Sequence, residues 1–310
     1  METLHKDLMT KREIADTTAS LYLKNLVHLN GSIPFKNLAF LKQKQTIDNR
    51  LNEYAESTRR AILGGVVSTL SLFKDKAAYK SLHRYYSDKL EALSKENREK
   101  DTSVKTEKQE KNWMSWKQIQ EVKDDLSKKV SELKAKKSLT AHEYDTLLQA
   151  IILGLYTDVP PRRNQDYQVM MVCKKWNEEK PKDANYLDLA GKKFVFNVYK
   201  TSKTHGQQTT TIPDHLMELF KVFFKHHPNS SPTKDFRFLV YGDGSPFTAV
   251  NAITRILNRV FGKNVGTTML RHIYLSDKYD VEEMKETAEA MGHTMELQRQ
   301  YMKKESEKEE

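Results

Sequence analysis

Arg163, Lys203, Arg271, His293 and Tyr301 follow one another along the chain, and together their side chains could cleave a phosphodiester. A phenol attacks phosphorus and can later be expelled, because its pKa near 10 makes it a better leaving group than an alkyl hydroxyl. Tyr301 stands beside Gln298, Arg299 and Gln300 in a polar setting. Taken alone, it reads rather as an exposed tyrosine at a helix end than as a nucleophile. The pentavalent transition state gains negative charge on its non-bridging oxygens, which guanidiniums clamp with paired, charge-assisted hydrogen bonds. Arg271, in Thr268-Met269-Leu270-Arg271-His272, is one candidate, and Arg163, just after Pro160-Pro161, is the other. Asp166 follows Arg163 on the same predicted helical face and could orient a guanidinium. Either arginine by itself also reads as a surface residue or a contact to a nucleic-acid backbone.

A departing 5′-oxygen needs a proton, which a lysine on a hairpin could supply as general acid. Tyr199-Lys200-Thr201-Ser202-Lys203-Thr204-His205-Gly206 is a basic hairpin tip of that kind, although each lysine also fits a solvated turn. His293, after Gly292, could donate a hydrogen bond to a phosphoryl oxygen, or simply cap a helix.

These residues need elements to position them. Residues from about 11 to 94 read as helices. One apolar stripe runs through Ile47, Leu51, Tyr54, Ala55, Thr58 and Ile62 as a single helix. An earlier stripe carries Ile14, Leu21, Leu26 and Leu29 and stops at Asn30-Gly31. A later one carries Tyr79, Leu82, Tyr85, Tyr86, Leu90 and Leu93. From Ser94 to Lys111 the chain is nearly all polar, which predicts a charged linker, in part helical. Trp113 and Trp116 mark the start of a second domain, and Thr140 with Glu143 predicts a capped helix start. The apolar helix containing Leu147, Leu148, Ile151, Ile152 and Leu155 ends before Pro160-Pro161. Phe194, Phe196 and Val198 predict a half-buried strand, Thr204–Gln207 a turn, and Thr209–Ile212 the returning strand. Helices dominate thereafter, broken by the loop Gly242–Pro246.

The fold class expected is mainly α with a small antiparallel β-sheet (α+β). The expected divisions are a helical domain over residues 1–94, a linker over 95–112, a mixed domain over 113–303 and a charged tail over 304–310. The net charge of +10 favours a polyanionic partner, since clustered Lys and Arg release counterions from phosphates. A soluble Lys-rich surface accounts for it as well. The lone Cys173 excludes an internal disulfide and a thiolate metal cluster, and in Val169-Met170-Met171-Val172-Cys173 it reads as a buried structural thiol. No apolar stretch approaches the ~20 residues that span a bilayer. The first residues lack the apolar core of a secretory signal, so the chain is expected to work inside a cell, in nucleus or cytoplasm.

The order Arg, hairpin Lys, Leu-Arg-His, Gly-His, Tyr resembles the tyrosine recombinase (phage integrase) family. The resemblance covers about residues 113 to 303, while residues 1–94 look like the family's core-binding domain by architecture more than by motif. The family's first arginine has an acidic residue three positions on. Arg163-Asn164-Gln165-Asp166-Tyr167 fits this and favours Arg163 over Arg162. The hairpin lysine matches Ser202-Lys203-Thr204 best, with Lys200 as runner-up. The second motif keeps Arg271 and His272 but has Thr268 where the family carries a histidine, and the threonine hydroxyl can still donate a hydrogen bond. Met291-Gly292-His293 matches the next box, and Tyr301 follows His293 by eight residues. The wording around Pro160 and Lys200 looks most like recombinases of large eukaryotic DNA viruses and mobile elements.

The resemblance implies a site-specific recombinase or integrase that holds double-stranded DNA in a C-shaped clamp. Tyr301 would form a covalent 3′-phosphotyrosyl intermediate, with Arg163, Arg271, Lys203 and His293 catalytic and with Thr268, His272, Lys200 and Asp166 in support. No metal or other cofactor is needed, because the phosphotyrosine retains the bond energy. A homotetramer on two DNA sites is the expected assembly. A type IB topoisomerase shares this chemistry but rejoins the same strand, and a non-catalytic DNA-binding relative is the remaining alternative.

Overall fold

The structure is a computed structural model that describes residues 1–99, 105–279 and 284. It divides into two compact units, Met1–Val104 and Lys105–Glu310, each with its own core.

The first unit is helical: α1 (Glu2–Lys11), α2 (Asp16–Leu29), a 3-10 turn (Leu38–Lys42), α3 (Lys44–Asn52), α4 (Glu56–Ser71) and α5 (Ala77–Glu99). Leu8, Leu26, Leu41, Ile47, Leu63, Leu70 and Tyr86 fill its centre. The Tyr86 hydroxyl reaches the Leu41 carbonyl at 2.8 Å, so the buried phenol keeps a partner, and burial raises its pKa. The stop expected at Asn30-Gly31 is present. Gly31 takes the left-handed conformation (φ 76°), and the Arg50 guanidinium donates to the Leu29 carbonyl, one of the acceptors a helix end leaves open. The single helix predicted from Ile47 to Ile62 is instead two, α3 and α4, separated at Glu53–Ala55. Both present apolar residues in the same phase, so periodicity carries across the break unseen.

In the second unit, α6 (Glu107–Asn112) and α7 (Trp116–Leu133) each start with a capping box, Thr106 with Gln109 and Ser115 with Gln118. The stretch expected as a linker is therefore helical at both described ends, since α5 also continues to Glu99. Trp113 and Trp116 both pack against the core of this unit, and Trp116 meets Tyr274 edge-on at 5.6 Å. The next helix, α8 (Ala141–Thr157), begins with the expected Thr140–Glu143 capping box, of a kind that stabilises a helix by about 1 kcal/mol. Every residue from Ala150 to Thr157 is buried, so the second half of the helix is covered all round.

The rest of the unit comprises α9 (Asn164–Gln168), β1 (Met171–Cys173), β2 (Tyr186–Asp188), β3 (Lys193–Phe196), α10 (Ser202–His205), β4 (Gln208–Thr211), α11 (Asp214–His226), β5 (Phe236–Arg237), α12 (Ala252–Phe261) and α13 (Thr267–Lys278). The strands form one small sheet in the order β4-β3-β2-β1-β5. It is antiparallel except for the β1–β2 pair, which is parallel, so the sheet is mixed rather than wholly antiparallel. The strand predicted around Phe194 exists, but Phe194, Val195 and Phe196 are all buried, so both faces of β3 are covered. The predicted return is β4, paired from Phe196↔Gln208 to Lys193↔Thr211. Cys173 is buried on β1, where desolvation pushes its thiol up to about 12. No helix among the described residues is long and apolar enough to cross a membrane.

Candidate active site

The site grows from the segment that leaves α8. Residues before proline are pushed to extended backbone, so Pro160-Pro161 ends the helix and presents Arg162 and Arg163 on an open strand of chain. Arg163 (φ −76°, ψ 154°) is the residue that opens α9. Two side-chain amides then hold α9 in place. Gln168 donates to the carbonyls of Phe247 and Ala249 at 3.0 and 2.9 Å, and Asn164 donates to Val250 O and Thr254 Oγ1 at 3.2 Å each. Tyr167, from the same turn, is buried between Tyr156, Phe194 and Phe196.

Asp166 was expected to orient Arg163; it binds Arg162 instead. Arg162 Nε donates to Asp166 Oδ2 at 3.0 Å and its Nη1 to Gln208 Oε1 at 2.9 Å. The guanidinium also lies over the Phe196 ring at 3.8 Å and over Tyr199 at 4.8 Å. Burial pushes the Asp166 carboxyl up, and the charges of Arg162 and Arg163 act the other way. The physical reason for the exchange is the aromatic surface of Phe196 and Tyr199, which receives Arg162. Arg163 occupies the capping position with its side chain exposed, while Arg162, four residues before Asp166, turns inward over the sheet.

Arg271 comes from the second turn of α13, whose N-cap is Gly266. Its Nη2 donates to Thr268 Oγ1 at 3.1 Å, and its Nε lies 3.4 Å from Thr267 O. The helix is anchored by the buried residues Thr267, Leu270 and Ile273. Thr268, at the position where a histidine was expected, thus holds Arg271 through its hydroxyl. His272 is exposed.

The hairpin joins β3 to β4 through α10. Asn185, fully buried just before β2, secures its base with all four of its hydrogen-bonding sites. Its Nδ2 donates to Asp166 O at 3.0 Å and Val198 O at 2.9 Å, and its Oδ1 accepts from the Asn197 and Val198 amides at 2.9 and 2.8 Å. At the tip, the Tyr199 hydroxyl donates to Gly206 O at 2.8 Å.

Arg162, Arg163, Asp166, His205, Gln208 and Arg271 line one cleft of about 300 Å³. Three guanidiniums against one carboxylate leave a formal surplus of two positive charges there. Such a cleft suits a phosphoryl group, whose oxygens accept bidentate hydrogen bonds from arginine. Of the residues singled out from sequence, Arg163, Arg271 and Asp166 meet here. Thr268 joins them through Arg271. Lys203 lies in a neighbouring cavity with Lys182 and Asn197, and Lys200 is exposed and lines neither. His293 and Tyr301 lie outside the described residues. The motif sets Arg162 behind Arg163, and Gln208 and His205 were not anticipated. The i, i+4 spacing from Arg162 to Asp166 competes with the i, i+3 spacing from Arg163 and does not decide between them, and nothing in the sequence pointed to the other two. Among the described residues no group of His, Cys, Asp and Glu is placed to hold a metal ion.

Comparison with known proteins gives no match to a family model, to a curated protein or to a solved structure.

Proposed function

We propose that this chain breaks and rejoins DNA strands as a tyrosine recombinase, with Tyr301 as nucleophile and a 3′-phosphotyrosyl intermediate. The observation that carries the reading is the convergence of Arg163 and Arg271, distant in sequence, on one positively charged cleft. In that cleft a scissile phosphate would take hydrogen bonds from exposed Arg163 and half-buried Arg271, and the guanidiniums would neutralise the charge that develops in the transition state. Arg162 stays engaged with Asp166 and Gln208 and supports the cleft wall. His293, His272 and the hairpin lysines Lys200 and Lys203 remain candidates for contacts to the phosphate or the flanking backbone. The net charge of +10 fits a double-stranded DNA partner, to which non-specific affinity would fall steeply with salt. A homotetramer on two DNA sites, acting in the nucleus or cytoplasm of a cell, completes the reading. Strand exchange requires neither a metal nor a nucleotide, since the phosphotyrosyl bond conserves the energy of the one it replaces.

A nicked suicide duplex tests this directly. Denaturing electrophoresis should show a covalent protein–DNA adduct that disappears in Tyr301→Phe. Arg163→Ala and Arg271→Ala should bind duplex DNA and fail to form the adduct. No adduct across varied duplex sequences overturns the reading. Relaxation of supercoiled plasmid without strand exchange between two duplexes would identify a type IB topoisomerase instead.

A further inference from the structure

We propose that His205, rather than a hairpin lysine, protonates the departing 5′-oxygen; the inference rests on the strand-cleavage reading above. Successive residues of a helix are rotated by about 100°, so Lys203 and His205, two apart on α10, face directions about 160° apart. The cavities agree with that geometry. Lys203 lines the outer cavity with Lys182 and Asn197, whereas His205 lines the cleft with Arg162, Arg163 and Arg271.

The hairpin is tied in this orientation. The Thr204 and His205 amides both donate to the Thr201 carbonyl at 3.1 Å, and the Gly206 amide donates to Ser202 O at 2.8 Å. Gly206 then takes φ 64°, a conformation that glycine adopts without strain, and turns the chain into β4. Gln207 Nε2 donates to Asn197 Oδ1 at 2.7 Å across the hairpin. The His205 imidazole itself is exposed and makes no side-chain hydrogen bond to a described residue, so its nitrogens are open to a substrate.

Elimination within the cleft leads to the same residue. A guanidinium does not give up its proton in a protein, so Arg162, Arg163 and Arg271 can stabilise charge but cannot act as acids. Asp166 accepts from Arg162, and Tyr199 spends its hydroxyl on Gly206 O. Among the described side chains lining the cleft, His205 is the one suited to carry a proton to a leaving group and take it back.

The Tyr301 phenolic oxygen bonds to phosphorus while its proton passes to water. The bond from phosphorus to the 5′-oxygen breaks, and its electron pair takes the proton of the His205 imidazolium, releasing a 5′-hydroxyl. In rejoining, neutral His205 accepts the proton of the attacking 5′-hydroxyl, and the phenol recovers one from water.

A substrate with sulfur in place of the bridging 5′-oxygen isolates this role, because a thiolate departs without being protonated. Full-length wild type, His205→Asn, Lys200→Ala, Lys203→Ala and Arg163→Ala are compared on the oxygen and sulfur substrates in single-turnover adduct formation. His205→Asn should lose at least about 100-fold on the oxygen substrate, the scale of general acid catalysis, and come within about tenfold of wild type on the sulfur one. Arg163→Ala should remain defective on both. Cleavage of the oxygen substrate by His205→Asn at the wild-type rate, or a defect that persists with sulfur, overturns the proposal. So does sulfur rescue of a lysine variant instead of His205→Asn. If the wild type forms no adduct on either substrate, the strand-cleavage reading itself fails, and the role of His205 falls with it.

Discussion

Asp166 accepts the Nε–H of Arg162 at 3.0 Å, with only 4% of the carboxylate side chain and 18% of the arginine side chain exposed to solvent. Removing one member of such a pair leaves a charge buried without its partner, which typically costs about 3 kcal/mol or more. Removing both restores part of that loss.

Asp166→Ala and Arg162→Ala are each expected to destabilise the second unit by about 3 kcal/mol, and the double variant by little more than either alone. Urea unfolding followed by tryptophan fluorescence checks this. All three tryptophans, Trp113, Trp116 and Trp176, lie in the second unit, so the signal reports that unit alone. Additive single effects would show that the two side chains do not act as a pair.

Thr268 holds Arg271 through an exposed hydroxyl, so its loss should hardly affect stability while loosening a guanidinium in the cleft. Thr268→Ala is expected to slow adduct formation about tenfold, equivalent to about 1.4 kcal/mol, and Thr268→Ser to retain the wild-type rate. Equal rates for all three proteins in single-turnover cleavage would remove Thr268 from the site.

His227 supplies a pH dependence unrelated to the cleft. It is buried among Phe223, Phe224 and Phe236, its Nδ1 accepts from the Asn229 amide at 3.1 Å, and its Nε2–H donates to Phe238 O at 3.1 Å. Both nitrogens are thus used by the neutral ring, and burial lowers its pKa from 6.5 to about 4. A depressed folded-state pKa gives stability that is present above pH 6.5 and is lost as pH falls towards 4, on the order of 3 kcal/mol. Burial also lowers the pKa of the adjacent His226, so the two histidines share the slope. Urea unfolding between pH 4 and 7 should show it, and His227→Gln should remove most of it. An unchanged slope in that variant would place the dependence elsewhere.

Local chemistry was the part of this fold most legible in the sequence. The Thr140–Glu143 box, the Asn30-Gly31 stop and the Pro160-Pro161 break each act within a few residues and occur where they were expected. The strands β1, β2 and β5 were not anticipated, because they are two or three residues long and mostly buried, which leaves no alternation to detect. Arg163 and Arg271 were legible from their motifs. Which of two neighbours would meet Asp166 was not, since it depends on the sheet beneath and on the Phe196 and Tyr199 rings that receive Arg162. His205 escaped notice for a similar reason: a four-residue helix inside the predicted turn decides which way it faces.

Asn185 has a consequence for how this unit can move. One carboxamide grips both the Asp166 carbonyl in α9 and the backbone where the hairpin begins, and it has no hydrogen-bonding site to spare. The hairpin and the turn bearing Arg163 are therefore coupled at Asn185, in addition to the bridge from Arg162 to Gln208. A load that lifts the hairpin is transmitted to the arginine segment, and the two can separate only by breaking both joints.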